Sequence, residues 1–267
     1  NTGKDISENM WIREELKIRG KNCFLKNYLT TVAVGAILLL LNGDLFRFRF
    51  EFDIDTVRDM IWNGFHSIEM MGITGLFSML VSGLVSMIGL LGILFTIFVK
   101  NILEVGAKRM FMENREHRTG VGTILYGFQS KGYGNVALTL FLRDLYTALW
   151  TLLFIIPGIV KSYEYRMVPY ILSENPEMPH QRAFEISRQM MTGQKLDTFI
   201  LDLSFIGWAI LGGLTCGIVK IFYLKPYYEA TYAELYAVFR AHAFYTGALT
   251  YTDLPGYGEA DDEYIRS

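Results

Sequence analysis

The chain has 267 residues and a net charge of −2, and 51% of its residues are hydrophobic while only 19% are charged. Soluble domains carry about 25% charged residues, and they seldom need the apolar runs of about 20 residues that recur here. We therefore expect a polytopic membrane protein. The sequence holds no block of lysine and arginine that is typical of nucleic-acid binding, so we expect no nucleic-acid partner.

Cysteine and histidine usage argues against a metal site and against a disulfide. Cys23 and Cys216 are far apart in sequence, and the four histidines are scattered. Neither a phosphate-binding loop nor a GxSxG nucleophile motif is present in the sequence. The sequence therefore predicts no metal, no cofactor and no enzymatic activity.

The first half of the sequence predicts two membrane spans and their orientation in the membrane. A cytoplasmic amphipathic segment, residues 1–23, precedes a span at Phe24–Leu41, and a second span covers Ile73–Val99. The acidic segment 42–72 lies between them, and residues 100–135 form a linker rich in lysine and arginine. Because an excess of these residues marks the cytoplasmic side, we place the linker inside and the 42–72 loop outside.

Two later stretches repeat one pattern. They begin at Asp144 and Asp202 and share Asp-Leu, a Trp six residues after the Asp, an apolar run and Gly-Ile-Val-Lys. As one helix, residues 136–172 would cover roughly 55 Å, against a hydrocarbon core of about 30 Å. A Pro-Gly pair near the middle breaks that helix. We expect two hairpins within residues 136–240, joined by a cytoplasmic amphipathic helix over residues 176–193.

Together these elements predict an all-α transmembrane helical bundle. It has about six spans, the last four form the two repeated hairpins, and both termini are cytoplasmic. The acidic composition of residues 241–267 predicts a flexible tail. A four-span alternative, in which Pro157–Leu172 lies at the membrane interface, stays open.

Several segments resemble a known bacterial family. They are MWIREELKIRGKN from Met10, IIPGIVK followed by PYILSENP from Ile155, and DLSFIGW from Asp202. They are similar to the integral-membrane family catalogued as domain of unknown function 975, over about Met10 to Arg240. The resemblance implies a multi-span protein of the bacterial cytoplasmic membrane, and it implies no activity.

Charged residues inside the predicted hairpins form the candidate site. Five lie about 10 Å from the cytoplasmic ends, and Glu164 lies slightly deeper. An unpaired charge near the bilayer centre costs roughly 2.5–3.5 kcal/mol, so these side chains should face inward and meet. They form either a structural ion-pair lattice or a water-filled vestibule, whose surplus carboxylate favours a cation or a proton. The candidate residues are Arg143, Asp144, Glu164, Arg166, Asp202 and Glu229.

The two repeats end in Lys161 and Lys220. Each lysine is expected about four residues below an outer turn, from which its side chain can extend toward the outer interface. The alternative is a contact with anionic headgroups or substrate.

The sequence favours a non-enzymatic protein that binds or transports a polar ligand through the charged cluster. The first alternative is a structural or accessory membrane protein that serves export, envelope homeostasis or immunity to a peptide. The second alternative is a lipid-modifying enzyme that uses one of the carboxylates as acid or base. Expected partners are the lipid bilayer, a protein bound through the outer loop or the cytoplasmic helix, and a second copy of the chain.

Overall fold

The computed structural model describes residues 10–41 and 73–256. Within these two ranges the chain forms helices and no β-strand, which confirms the all-α prediction. Residues 1–9, the predicted outer loop 42–72 and residues 257–267 lie outside the described part.

The described residues form α-helices that are joined by short turns and short helices of other types. The α-helices are α1 (Arg13–Lys26), α2 (Tyr28–Leu41), α3 (Ile73–Phe95), α4 (Asn101–Glu116), α5 (Tyr126–Gln129), α6 (Tyr133–Leu153), α7 (Ile155–Glu164), α8 (Val168–Glu174), α9 (His180–Met190), α10 (Lys195–Leu203), α11 (Ile206–Leu214) and α12 (Lys225–Tyr245). π-Helical turns cover Thr96–Lys100 and Lys220–Leu224, and a 3-10 turn covers Val121–Leu125.

The core is built around α12, which is buried along most of its length. α1 packs along α12, and Gly20 lies so close to this helix that a Cβ atom there would be 2.7 Å from the Cα of Thr231. On the side of α8, the rings of Tyr170 and Tyr236 stack with their centroids 5.0 Å apart. The first and last described helices therefore share one apolar interface.

Residues 100–135, the predicted cytoplasmic linker, contain helices that pack into the core. α4 lies in this range, and Ile102, Val105 and Met110 are fully buried in the core. Two of the basic side chains of α4, Lys108 and Arg115, form ion pairs inside the protein. Lys108 contacts Glu229 on α12, and α4 is thereby part of the fold.

Several apolar helices are compatible with insertion into a membrane. Among the described residues, three stretches are long and apolar enough to cross one: Ser78–Glu116, Tyr133–Leu153 and Lys195–Leu214. A fourth counts if α1 and α2, which are bent by 103° relative to each other, form one span. The predicted span Phe24–Leu41 therefore starts within α1 and contains this bend.

The first predicted hairpin reverses direction earlier than expected. The break lies at Phe154, which has an extended backbone, and Pro157 sits inside the first turn of α7. A proline is accepted there because the first amide groups of a helix have no partner within the helix. The predicted return span Pro157–Leu172 is divided, since α7 ends at Glu164 and α8 begins at Val168.

The segment around the predicted cytoplasmic helix 176–193 contains α9 (His180–Met190). Its apolar side chains Ala183, Ile186 and Met190 are buried in the protein core. The apolar face therefore packs against other helices, while Glu185 and Arg188 on the polar side are exposed.

Residues 241–256, the first part of the predicted flexible tail, pack against the rest of the fold. α12 continues to Tyr245, and the following chain packs back onto the fold with Leu254 fully buried. Asp253 forms an ion pair of 2.9 Å with Arg182 on α9. Hydrogen bonds from this guanidinium lower the pKa of Asp253 and raise the pKa of Arg182.

Candidate functional site

A cavity of about 920 Å³ lies between the α6–α7 hairpin and the helices α4 and α12. Seven charged side chains line it among the described residues, and we call it the charged cleft. Its floor includes buried groups, whereas Leu152 at its rim is 85% exposed. The lining residues are Glu104, Lys108, Arg143, Asp144, Thr147, Ala148, Thr151, Leu152, Ser162, Tyr165, Arg166, Tyr170, Lys225, Tyr228, Glu229 and Tyr232.

Glu229 is the most deeply buried charge of the cleft, with only 3% of its side chain exposed. Its carboxylate accepts a hydrogen bond of 2.6 Å from the Lys108 ammonium. The ammonium of Lys225, four residues earlier on α12, lies 2.7 Å from the other carboxylate oxygen. A buried carboxylate without such partners would be strongly unfavourable, so the two lysines allow Glu229 to remain charged.

Arg143 joins α6 to α4. Its guanidinium lies 3.2 Å from Glu104 and 2.8 Å from Asp144. The side-chain amide of Asn101 donates a hydrogen bond of 3.1 Å to the second oxygen of Asp144. Arg143 and Asp144 of α6 are therefore both paired with side chains from the start of α4, Glu104 and Asn101.

Asp202 is the centre of a second cluster. It accepts hydrogen bonds from Arg166 at 2.7 Å, from the hydroxyl of Tyr163 at 2.6 Å and from the hydroxyl of Tyr228 at 2.9 Å. The hydroxyl of Tyr232 also donates to it. This carboxylate thereby ties α10 to α7, to the α7–α8 break and to α12.

Glu164 forms a third cluster. Its carboxylate lies 2.8 Å from Lys161, 2.8 Å from Lys195 and 3.0 Å from Arg188. Three cationic side chains thus surround one buried carboxylate, at the place where α7, α9 and α10 meet.

The predicted site residues do not all meet at one point. Asp202 and Glu164 do not line the charged cleft, although Asp202 is bonded to Arg166, which does. The other four predicted residues line the cleft. They are Arg143, Asp144, Arg166 and Glu229.

Sequence reasoning missed Glu104, Lys108 and Lys225. Lys108 is one of the basic residues of segment 100–135 that indicate the cytoplasmic side, and Lys225 lies outside the predicted set of charges. A signal was present, since Lys225 precedes Glu229 by four residues and Glu104 precedes Lys108 by four residues. Residues four apart lie on the same face of a helix. Lys225 could therefore have been predicted to lie beside Glu229, and Glu104 beside Lys108.

The two repeat lysines have different surroundings. Lys161 turns toward Glu164, and its ammonium lies 5.7 Å from the ring centre of Trp150. Lys161 therefore forms an ion pair within its own helix. Lys220 lines a mainly apolar cavity of about 360 Å³ next to Asp202 and makes no ion pair with another described residue.

Among the described residues, no group of three or more His, Cys, Asp or Glu side chains is placed to hold a metal ion.

Residues 155–243 match the model of a family described as "Protein of unknown function (DUF975)". The resemblance to domain of unknown function 975 is confirmed there. The DUF975 segment contains Arg166, Asp202 and Glu229, whereas α4 and the whole of α6 lie outside it. No curated protein and no solved structure matches the chain.

Proposed function

We propose that this chain is a multi-pass protein of the bacterial cytoplasmic membrane that binds a small polar ligand in the charged cleft, as part of transport. The observation that carries this proposal is a cavity of about 920 Å³ whose described walls hold seven charged side chains. A lattice with a purely structural role would be expected to close around its charges, because protein interiors are close-packed and poorly satisfied charges are costly.

The break between α7 and α8 supports this role. It places Tyr165 and Arg166 on the wall of the cleft, opposite α12. Interrupted helices frame the substrate sites of many transporters, because their ends present polar groups within the membrane. Thr147, Thr151 and Ser162 add hydroxyl groups that would hydrogen-bond a ligand.

We propose that α2, α3, α6 and α10–α11 are the regular membrane spans, and that α7–α8 and α12 lead the chain back to the cytoplasmic side, where both termini lie. This number of elements is closer to the four-span alternative than to six spans, because Pro157–Leu172 is interrupted and α8 is wholly buried. The proposed arrangement keeps the repeated stretches as two hairpins, and their reversals lie at Phe154 and at Thr215–Gly217.

Cysteine accessibility tests the proposed role of the cleft. The variant Ser162→Cys would be made with Cys23 and Cys216 replaced by serine, and oriented vesicles would be treated with a membrane-impermeant thiol reagent. We expect labelling of position 162 from the cytoplasmic side, because Ser162 is an exposed residue of the cleft wall. Met79→Cys, on the exposed apolar surface of α3, is the unlabelled control, and Lys21→Cys on α1 is the labelled one.

If position 162 stays unlabelled from both sides in a folded protein, the cleft is dry and the accessory role takes precedence. One observation favours that second candidate: all six predicted charges have an ion-pair partner in the structure. The exposed polar side of α9, with Glu185 and Arg188, would then bind a protein partner. Copurification of a partner that is lost on reversing these two charges would support it.

We propose a non-catalytic role in both cases. A lipid-modifying enzyme remains the third hypothesis, and it requires turnover that is lost when Asp144 or Glu229 is replaced while the fold persists. A carboxylate without a nucleophile or a metal set is a weak sign of catalysis.

A further inference from the structure

A second cavity, of about 240 Å³, shares five lining residues with the charged cleft and adds Lys100, Leu38 and Leu41. In the described part of the chain, the two cavities together are lined by five cationic side chains and three carboxylates. Arg166 is neutralised by Asp202, so four cations face three carboxylates. They are Lys100, Lys108, Arg143 and Lys225 against Glu104, Asp144 and Glu229.

The cationic excess is concentrated around Glu229. This single carboxylate is bonded to both Lys108 and Lys225. Lys100 lines the same small cavity and has no ion-pair or hydrogen-bond partner for its ammonium among residues 10–41 and 73–256. The sequence predicted a surplus carboxylate and hence a cation or a proton as ligand. Among the lining residues of the two cavities, Lys225 of α12, Lys108 of α4 and Lys100 just before α4 reverse that balance.

We propose that this basic side of the cleft binds a phosphate group, carried either by a lipid headgroup or by a soluble phosphate ester. The inference rests on the binding role proposed for the cleft and names its ligand class. Lysine ammonium groups bind phosphate as point charges, and here three of them line one small cavity. Leu38 and Leu41 of α2 lie in the same wall, where they would contact the chains of a lipid.

The test measures the thermal unfolding midpoint of the full-length chain in a maltoside detergent. The probes are dihexanoyl phosphatidylglycerol, glycerol 3-phosphate and dihexanoylglycerol, which carries no phosphate. A ligand that binds only the folded state raises the midpoint. We expect a rise with at least one phosphate probe and none with dihexanoylglycerol. Lys100→Gln should weaken the apparent affinity about tenfold or more, since a hydrogen bond to a charged group is lost.

Lys21→Gln is the matched control, because Lys21 is exposed on α1 and lines neither cavity. It should leave the affinity unchanged. Stabilisation by phosphatidylglycerol alone assigns the phosphate to a lipid headgroup, and stabilisation by glycerol 3-phosphate assigns it to a soluble ester. The inference is overturned if neither probe stabilises the protein, or if Lys100→Gln binds as well as Lys21→Gln does. Labelling of Ser162→Cys together with no phosphate binding would leave the proposed function standing and remove this inference alone.

Discussion

The partly buried carboxylate of Asp202 connects several helices through its hydrogen bonds. A guanidinium and three phenol hydroxyl groups donate to it from three other parts of the fold. Charges removed from water are tolerated when such partners satisfy them, and they become costly when one partner is lost. The sequence predicted that Asp202 faces inward and meets other charges, with the choice between Arg143 and Arg166 as its partner left open. It did not predict the tyrosines, because aromatic residues in a membrane protein are equally typical of packing and of the membrane interface.

Replacing Asp202 by Asn should therefore reduce the free energy of unfolding by about 2–3 kcal/mol, since the Arg166 guanidinium loses its counter-charge. Asp197→Asn is the matched control on the same helix, because Asp197 is exposed, and we expect a change within about 0.5 kcal/mol. Chemical unfolding in detergent, followed by tryptophan fluorescence, measures the free energy of unfolding of both variants. If both variants lost the same free energy of unfolding, the hydrogen bonds at Asp202 would not be what holds α10 against α7 and α12.

The elements were only partly predictable from the sequence. Apolar runs and the Pro-Gly pair indicated the α6–α7 hairpin, but the turn lies at Phe154 because α7 accepts Pro157 in its first turn. The break between α7 and α8 has a local signal in Pro169, which lies in the first turn of α8 and would interrupt a continuous helix. The partner of Arg166 at this break, Asp202, lies on α10 and has no such local signal.

Close packing of the α6–α7 hairpin depends on a glycine. A Cβ atom at Gly158 would lie 2.2 Å from Oγ1 and 2.6 Å from Cα of Thr151, so Gly158→Ala must push the helices apart. We expect a loss of about 1–3 kcal/mol of stability, as for other overpacked sites. Gly134→Ala on α6 meets no atom within 4 Å and should be neutral or stabilising by up to about 1 kcal/mol. Thermal unfolding midpoints compare the two, and an undamaged Gly158→Ala protein would contradict the observed packing.

At the scale of the whole molecule, charges link parts of the chain that the sequence suggested were separate. Glu229 and Glu234 in the DUF975 segment pair with Lys108 and Arg115 of α4, which lies outside that segment. Sequence patterns detect charges within one helix, whereas these partners are more than 100 residues apart. The candidate site could therefore be located on its hairpins but not completed from the sequence.

The second hairpin offers a natural probe of the arrangement in the membrane. Cys216 is exposed at its reversal, where it has a positive φ of 49°. In a Cys23→Ser background, an impermeant thiol reagent should label Cys216 from the outside of oriented vesicles, because α10–α11 leads the chain outward. Lys21→Cys, with Cys216 also replaced, should be labelled from the cytoplasmic side. Labelling of Cys216 from the cytoplasm would mean that this hairpin does not reach the outer surface.

The interface between α1 and α12 also determines how synthesis of the chain proceeds. Gly20 and Phe24 are buried against a helix that the ribosome completes roughly 200 residues later. At about 5–20 residues per second, this delay amounts to roughly 10–40 s. During that interval the apolar face of α1 has no partner in the nascent chain, so lipid or a chaperone must cover it until the last helix is made.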